Sequence, residues 1–314
     1  MQMDIYDINI TPLALAFTPN YFIPAVTCIS SILKNSTNQA KYEIICLLTE
    51  ELTDDQVELL KKLDPNRLTY KFINLSGILK NVYVDERYTI AASFRLLLPE
   101  ILTEYERILY LDCDIIVRND LNQLFHTVDL KNYYLAAVYE AALDSQKPYL
   151  KQIGCEPGYY FNSGFLIMNL NKMRADKLSS TLIGGLNVPY LQFPDQDVLN
   201  MYCKGKVLGL EPIYNSIRTY FLPQYKREFL RRYKLEDWEK VQQHGNIHYT
   251  GAKPWNNQTI KFKIWWQYYN KLPLVYKKQW RPNQKMEMLS KILSLPIIGN
   301  LYEFLINGFR TLKA

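Results

Sequence analysis

The sequence has few of the residues that staple a fold covalently or through a structural metal. Its five cysteines (Cys28, Cys46, Cys113, Cys155 and Cys203) are odd in number and scattered, with no C-x-x-C pair. That spacing excludes a disulfide framework or a zinc ribbon and fits thiols kept reduced in a cytosolic setting. No uninterrupted apolar run reaches the ~18 residues expected of a membrane-spanning helix. The N-terminal stretch has no basic region and carries Asp4 and Asp7, so no secretory signal is read. Twelve glycines and 15 prolines are too few for a collagen-like or low-complexity chain. What remains is ordinary globular material. The chain has 314 residues, 48% of them hydrophobic and 22% charged, enough for one large domain or two small ones with a core of their own.

The net charge of +6 is concentrated in one place. From Lys253 to Lys285 the chain carries Lys253, Lys261, Lys263, Lys271, Lys277, Lys278, Arg281 and Lys285 with no acidic residue, a local +8 that leaves the rest at −2. The same stretch holds four of the five tryptophans (Trp255, Trp265, Trp266 and Trp280), with Tyr268, Tyr269 and Tyr276. Beyond it lie apolar Leu289, Ile292, Leu293, Leu301, Phe304, Leu305 and Phe309, interrupted by Pro296 and Gly299, which predicts two short amphipathic helices rather than one. A lysine–tryptophan mixture beside a detached apolar tail suits an anionic membrane surface. The alternative is a basic surface with the helices packed back on the domain. Nucleic-acid binding uses similar ingredients, but the remaining chain is net acidic and carries no such motif.

Upstream, apolar runs alternate with helical patterns. Strands are expected at Leu13–Phe17, Tyr42–Leu48, Leu68–Ile73, Ile108–Leu111, Phe165–Met168 and Asn246–Tyr249. Helices are expected around Phe22–Leu33, after a Thr53-Asp54-Asp55-Gln56 capping box to about Leu63, near Ser93–Leu102 and near Asp197–Tyr202. This alternation predicts an α/β fold with a largely parallel sheet, whose ligands bind at the carboxyl ends of the strands. Asp112-Cys113-Asp114 follows the apolar strand Ile108–Leu111. A lone D-x-D carries little weight, and the chain has a second at Asp195-Gln196-Asp197. A buried strand ending in two carboxylates, however, delivers both to the ligand crevice. Their hard oxygens suit Mg²⁺ or Mn²⁺ on a diphosphate. The plainer role is capping a turn. His248, at another strand end, is a ligand type that Mn²⁺ tolerates. Gly251 permits close backbone approach to a phosphate and Lys253 supplies a point charge. His126 and His244 lack such neighbours and are read as structural.

Four motifs now stand in order: Tyr110-Leu111-Asp112-Cys113-Asp114, Phe161-Asn162-Ser163-Gly164, Pro194-Asp195-Gln196-Asp197 and His248-Tyr249-Thr250-Gly251-Ala252-Lys253-Pro254-Trp255. Together they resemble glycosyltransferase family 8, in particular its bacterial lipopolysaccharide and lipooligosaccharide galactosyl- and glucosyltransferases, over roughly Leu13–Trp255. The resemblance implies a GT-A, Rossmann-like nucleotide-sugar-binding fold over 1–260, with a basic, membrane-associating extension over 261–314. It implies Mn²⁺ (or Mg²⁺) held by Asp112, Asp114 and His248. Donor contacts fall on Ala16, Asn20, Tyr21, Arg95, Asp112, Cys113, Asn162, Ser163, Asp195, Gly251 and Lys253. Gln196 matches the residue nearest the donor's anomeric carbon, and Asp195 and Gln196 are the implied catalytic pair. The implied reaction is retaining transfer of galactose or glucose from its UDP-sugar to a glycan or glycolipid acceptor, at the inner face of the cell membrane.

Two departures from the family pattern stand out. Thr18 occupies a position where the family often has an acidic uracil contact, and Gly251-Ala252-Lys253 is one residue shorter than G-x-x-K. Two competing readings are a sugar-nucleotide hydrolase or nucleotidyltransferase, and a non-catalytic nucleotide-sugar or glycan-binding protein docked at a membrane. The glycine-rich nucleotidyltransferase opening is absent from Leu13–Phe22.

Overall fold

A computed structural model describes residues 10–79, 90–280, 282–295, 297–299 and 301–302. Its centre is a seven-stranded sheet of β1 (Ile10–Phe17), β2 (Lys41–Leu48), β3 (Leu68–Asn74), β4 (Arg107–Asp112), β6 (Leu135–Tyr139), β7 (Phe161–Asn169) and β8 (Val207–Gly209), in the order β3-β2-β1-β4-β7-β6-β8. β3, β2, β1 and β4 are mutually parallel, β7 runs antiparallel to β4 and β6, and β8 is parallel to β6. A second ribbon pairs β5 (Ile115–Ile116) with β9 (Ile247–His248).

The central strands are apolar on both faces because both faces are covered. In β1, Leu13, Leu15 and Phe17 enter one core layer while Ala14 enters the other. Leu109 and Leu111 of β4 divide from Ile108 and Tyr110 in the same way. The period of two carries Asp112 onto the Tyr110 face at the strand end, where the Tyr110 hydroxyl donates to Asp112 Oδ1 at 3.1 Å. The capping box at Thr53 is present, with Gln56 N donating to Thr53 Oγ1 and Thr53 N to Gln56 Oε1, and opens a helix over Asp54–Lys62. The expected helix near Ser93–Leu102 is instead a 3₁₀ turn, Ile90–Leu97, followed by one α-turn, Leu98–Ile101. Pro99 lies within that α-turn and has no N–H to extend regular helical bonding.

The aromatic side chains of the basic segment pack inward. Trp255, Trp265, Trp266, Tyr269 and Tyr276 are buried in the same core layer as β1, alongside Ile260 and Phe262, so residues on both sides of position 260 share one core. The helix Phe262–Lys271 stacks Trp265 on Tyr269 and sets Trp266 edge-on to both, while the Trp266 indole N–H donates to Pro254 O at 3.0 Å. These rings face inward because their spacing places them on one helix face, while Gln267 and Lys271 are exposed. The first expected tail helix forms over Gln284–Leu293. Arg281, Pro296, Phe304, Leu305 and Phe309 lie outside the described residues, as do Asp4 and Asp7.

Trp265→Ala removes a fully buried side chain from the shared core. It is expected to lower unfolding free energy by about 3–5 kcal/mol in urea denaturation. Wild-type stability would instead mean that the segment docks only loosely.

Candidate active site

Three strand ends and one strand start meet at a single edge of the sheet. β1, β4 and β6 end there in Ala16-Phe17, Asp112 and Tyr139-Glu140, and antiparallel β7 begins there with Phe161-Asn162-Ser163. They line a cavity of about 590 Å³, within the range typical of small-molecule sites. Of the expected site residues, Ala16, Tyr21, Arg95, Asp112, Cys113, Asp114, Asn162, Ser163, Asp195, Gln196, His248, Gly251 and Lys253 all line it. Asn20 does not. It is exposed on the adjoining turn.

The β5–β9 ribbon pairs Ile115 with His248 and so brings the imidazole beside Asp114. Ligand atoms of Asp112, Asp114 and His248 lie within 4.8 Å of one another. His248 Nε2 is 3.3 Å from Asp114 Oδ1 and 3.7 Å from Asp112 Oδ2. Two observations show that this donor set fits a divalent cation. Asp114 Oδ1 is buried without a hydrogen-bond partner, a cost that a cation relieves. Gly164 keeps the cradle open, since a Cβ there would come within 2.3 Å of His248 Cε1 and 2.6 Å of Asp112 Oδ2. Two hard carboxylates and one imidazole suit Mn²⁺.

Lys253 hydrogen-bonds Asp114 Oδ2 and Tyr249 O. The short Gly251-Ala252-Lys253 loop therefore still delivers its ammonium group to the site. Gly251 takes φ +85° in that turn, a conformation glycine adopts without strain. Burial alone would raise the Asp114 carboxyl and lower the Lys253 ammonium. Their mutual attraction wins for both, so Asp114, also facing His248, sits below the usual carboxylate range and Lys253 above its ordinary value.

Arg95 reaches in from the 3₁₀ turn, buried, with its guanidinium over the Tyr110 ring. It donates to Asp112 Oδ1 at 2.8 Å and to Ser163 Oγ and O, and lies 3.2 Å from Asp195 Oδ2. The helix Pro194–Tyr202 has Phe193 as its N-cap, so Asp195 is not the cap. Its carboxylate instead accepts from Ser163 Oγ at 3.1 Å, and burial raises its pKa against the pull of Arg95. Gln196 is clamped at both ends. Its Oε1 accepts from Asn162 Nδ2 at 2.9 Å and Ser163 N at 3.1 Å, while its Nε2 donates to Tyr160 Oη at 2.9 Å and Glu140 Oε1 at 3.3 Å. Asp197 accepts from the Tyr149 and Tyr160 hydroxyls and from Phe193 N, fixing the turn that precedes the helix.

Sequence reasoning missed Glu140, Asn215 and the buried role of Asp197. Glu140 had a usable signal, since it follows the apolar run Leu135-Ala136-Ala137-Val138-Tyr139 much as Asp112 follows Leu111. Asn215 had none, because it stands in an irregular segment.

A mostly parallel α/β sheet with an Asp-Cys-Asp turn and a histidine converging beside a cavity at its strand ends is the architecture of a GT-A fold. The galactosyltransferase LgtC, solved with donor and acceptor sugar analogs, shares this fold. Its TM-score is 0.68 at 22% identity, covering 86% of this chain and 100% of that one. The model of glycosyl transferase family 8 matches residues 12–259. The chain belongs to glycosyltransferase family 8. A lipopolysaccharide 1,2-glucosyltransferase of Escherichia coli K12 is 31% identical over 244 residues, 75% of this chain and 69% of that protein. A putative glycosyltransferase of Haemophilus influenzae is 28% identical over 204 residues, 64% of this chain, and the match spans 62% of that relative's length.

Burial pushes the Glu140 carboxyl from 4.5 up to about 7, against hydrogen bonds from Gln146, Asn162 and Gln196. Between those pH values the native state holds a proton that the unfolded chain has released, so stability contributed below the window is lost as pH rises through it. Glu140→Gln is expected to gain about 3 kcal/mol relative to wild type between acid and mildly alkaline pH, read by urea denaturation at both ends. A pH-independent difference would mean that Glu140 ionises normally.

Proposed function

We propose that this chain is a retaining, metal-dependent hexosyltransferase that moves galactose or glucose from its UDP-sugar to a cell-surface glycan such as lipopolysaccharide core or lipooligosaccharide. The convergence of Asp112, Asp114 and His248 at one wall of the cavity, with Gln196 held at another, carries this reading. A divalent cation held by those three residues supplies a Lewis acid for the charge that develops on the departing diphosphate. Lys253 binds the same diphosphate once it turns from Asp114. Asn162 and Asp195 bind sugar hydroxyls, and Tyr21 and the Ala16 and Cys113 backbone meet the nucleoside.

Gln196 decides the route. Both lone pairs of its Oε1 are taken by Asn162 Nδ2 and Ser163 N, so the amide oxygen has no electron pair free for covalent attack. It acts as a fixed dipole that stabilises positive charge at the anomeric carbon. The acceptor hydroxyl then enters on the face from which the phosphate leaves, and the departing phosphate oxygen takes its proton. Configuration is retained without a glycosyl-enzyme bond.

UDP release from a panel of UDP-sugars, with Mn²⁺ and a glycan acceptor, tests the assignment. Release from UDP-galactose or UDP-glucose is expected, falling about 100-fold or more in Asp112→Ala/Asp114→Ala, the scale of losing one group that stabilises transition-state charge. Mn²⁺-dependent UDP binding without turnover would favour the non-catalytic binding reading.

We also propose a peripheral position at the cytoplasmic face of the membrane. No helix among the described residues is long and apolar enough to cross a bilayer. Leu274, Val275, Met288 and Ile297 are exposed near exposed Lys271, Lys278 and Lys285, a combination suited to anionic headgroups. Co-sedimentation with anionic but not zwitterionic vesicles is expected, and Leu274→Glu/Val275→Glu should abolish it. Equal recovery with both vesicle types would refute it.

A further inference from the structure

Asn215 is fully buried in the irregular segment before the 3₁₀ turn Arg218–Phe221. Its neighbour Ser216 bonds by backbone to both sides of Ile247, with Ser216 N donating to Asn246 O and His248 N to Ser216 O, each at 3.0 Å. That pairing places the Asn215 amide against the imidazole, where Oδ1 lies 2.9 Å from His248 Nδ1. Asn215 Nδ2 donates to Asn162 Oδ1 at 2.9 Å, and Asn162 Nδ2 donates to Gln196 Oε1 at 2.9 Å. Three amides thus run in one direction from the histidine to the catalytic helix.

The direction of an amide chain is ambiguous unless something of fixed polarity anchors it. Backbone N–H groups provide that anchor twice. Gly164 N donates to Asn162 Oδ1 at 3.1 Å and Ser163 N to Gln196 Oε1 at 3.1 Å, so both oxygens must lie where they are. With Asn162 Oδ1 facing Asn215, the Asn215 group that meets it must be the NH₂. Asn215 then has only its carbonyl oxygen for His248, and Nδ1 must carry the proton. In the neutral imidazole the Nε2 lone pair is then left facing Asp112 and Asp114.

We infer that Asn215 is a positioning residue that holds His248 in the Nδ1–H tautomer with Nε2 free for a cation, its own orientation dictated through Asn162 by the backbone N–H of Gly164. The polarity of the β7 entry turn thereby sets the chemistry of a ligand on a different sheet. Histidine ligands commonly depend on a partner at the other ring nitrogen for tautomer and orientation. Here that partner is an amide, which also touches a residue proposed to bind the sugar. The cation part of this inference rests on the metal-dependent reading above.

The test is ¹⁵N–¹H long-range correlation of the imidazoles in metal-free, full-length protein at mildly alkaline pH, with His248 assigned by loss of its signals in His248→Gln. Wild type is expected to show one tautomer, protonated at Nδ1. Asn215→Ala should lose that single tautomer. It should also bind Mn²⁺ alone, titrated by electron paramagnetic resonance, about 10–100-fold more weakly. Asn215→Asp keeps an acceptor for Nδ1–H and should keep the tautomer. A wild-type proton on Nε2, an unchanged tautomer in Asn215→Ala, or an Asn215→Asp spectrum as mixed as that of Asn215→Ala would each overturn the assignment. Should Asn215→Ala fail to fold, wild type and Asn215→Asp still decide it. The correct tautomer without Mn²⁺ binding in wild type would uphold the role of Asn215 and defeat the metal reading instead.

Discussion

The buried guanidinium of Arg95 is the constraint around which the site is assembled. It bridges Asp112, at the end of β4, to Asp195, on the helix Pro194–Tyr202, and fills its remaining valences with Ser163 at the entry of β7 and Ala92 in its own turn. A buried ion pair is weak evidence for stability, because desolvation offsets most of the attraction. Its value here is geometric. A planar donor fork fixes the separation and orientation of both carboxylates at once, and burial leaves it no alternative partner in water. The two nearby carboxylates more than offset the desolvation that would favour a neutral group, and keep Arg95 charged. Three elements distant in sequence therefore share one electrostatic hinge point.

The sheet order makes that convergence possible. In a purely parallel sheet, only strand ends and the loops after them reach the ligand edge. Here β7 is inserted antiparallel between β4 and β6, so its opening residues, not its closing ones, face the cavity. Asn162, Ser163 and Gly164 thereby contribute side-chain amide, hydroxyl and backbone N–H groups where an ordinary strand end would add one residue. The backbone donors of that entry turn orient Asn162 and Gln196, and a side chain at Gly164 would collide with Asp112 and His248. The second ribbon completes the arrangement by pairing His248 with Ile115, the residue after Asp114.

These features explain what was legible in the sequence. Asp112 and Asp114 could be read because an uninterrupted apolar strand announces its own end. His248, Gly251 and Lys253 follow a strand in the same way, and the four ordered motifs point to a family that the match over residues 12–259 supports. The capping box at Thr53 was readable because its chemistry is local. Asn20 was placed in the donor site by motif alone and stands outside the cavity. Glu140 went unread although the apolar run Leu135–Tyr139 before it marks a strand end as Leu111 does, and Asn215 because its role exists only through a tertiary contact. The lysine–tryptophan stretch was ambiguous in principle, since composition cannot say which face of a helix is covered. Trp265 and Trp266 lie in the core, so charge and aromatics that alternate in sequence separate in space.

The charge balance of the cavity gives a reason for the proposed donor and cation to act as a unit. Asp112, Asp114, Asp195 and Glu140 face two permanent cations, Arg95 and Lys253. Arg95 is committed to Asp112 and Asp195. Lys253 is held by Asp114, and burial favours a protonated Glu140. A diphosphate entering alone would add negative charge beside three carboxylates. A dication entering alone would have to compete with Lys253 for Asp114. Entering together, dication and diphosphate dianion leave the net charge of the site unchanged. On the proposed reading they would also give Lys253 a new partner, so its charge would not be left buried and unpaired. On that reading, Lys253 would hold Asp114 until a cation replaces it, and the diphosphate would then become its partner.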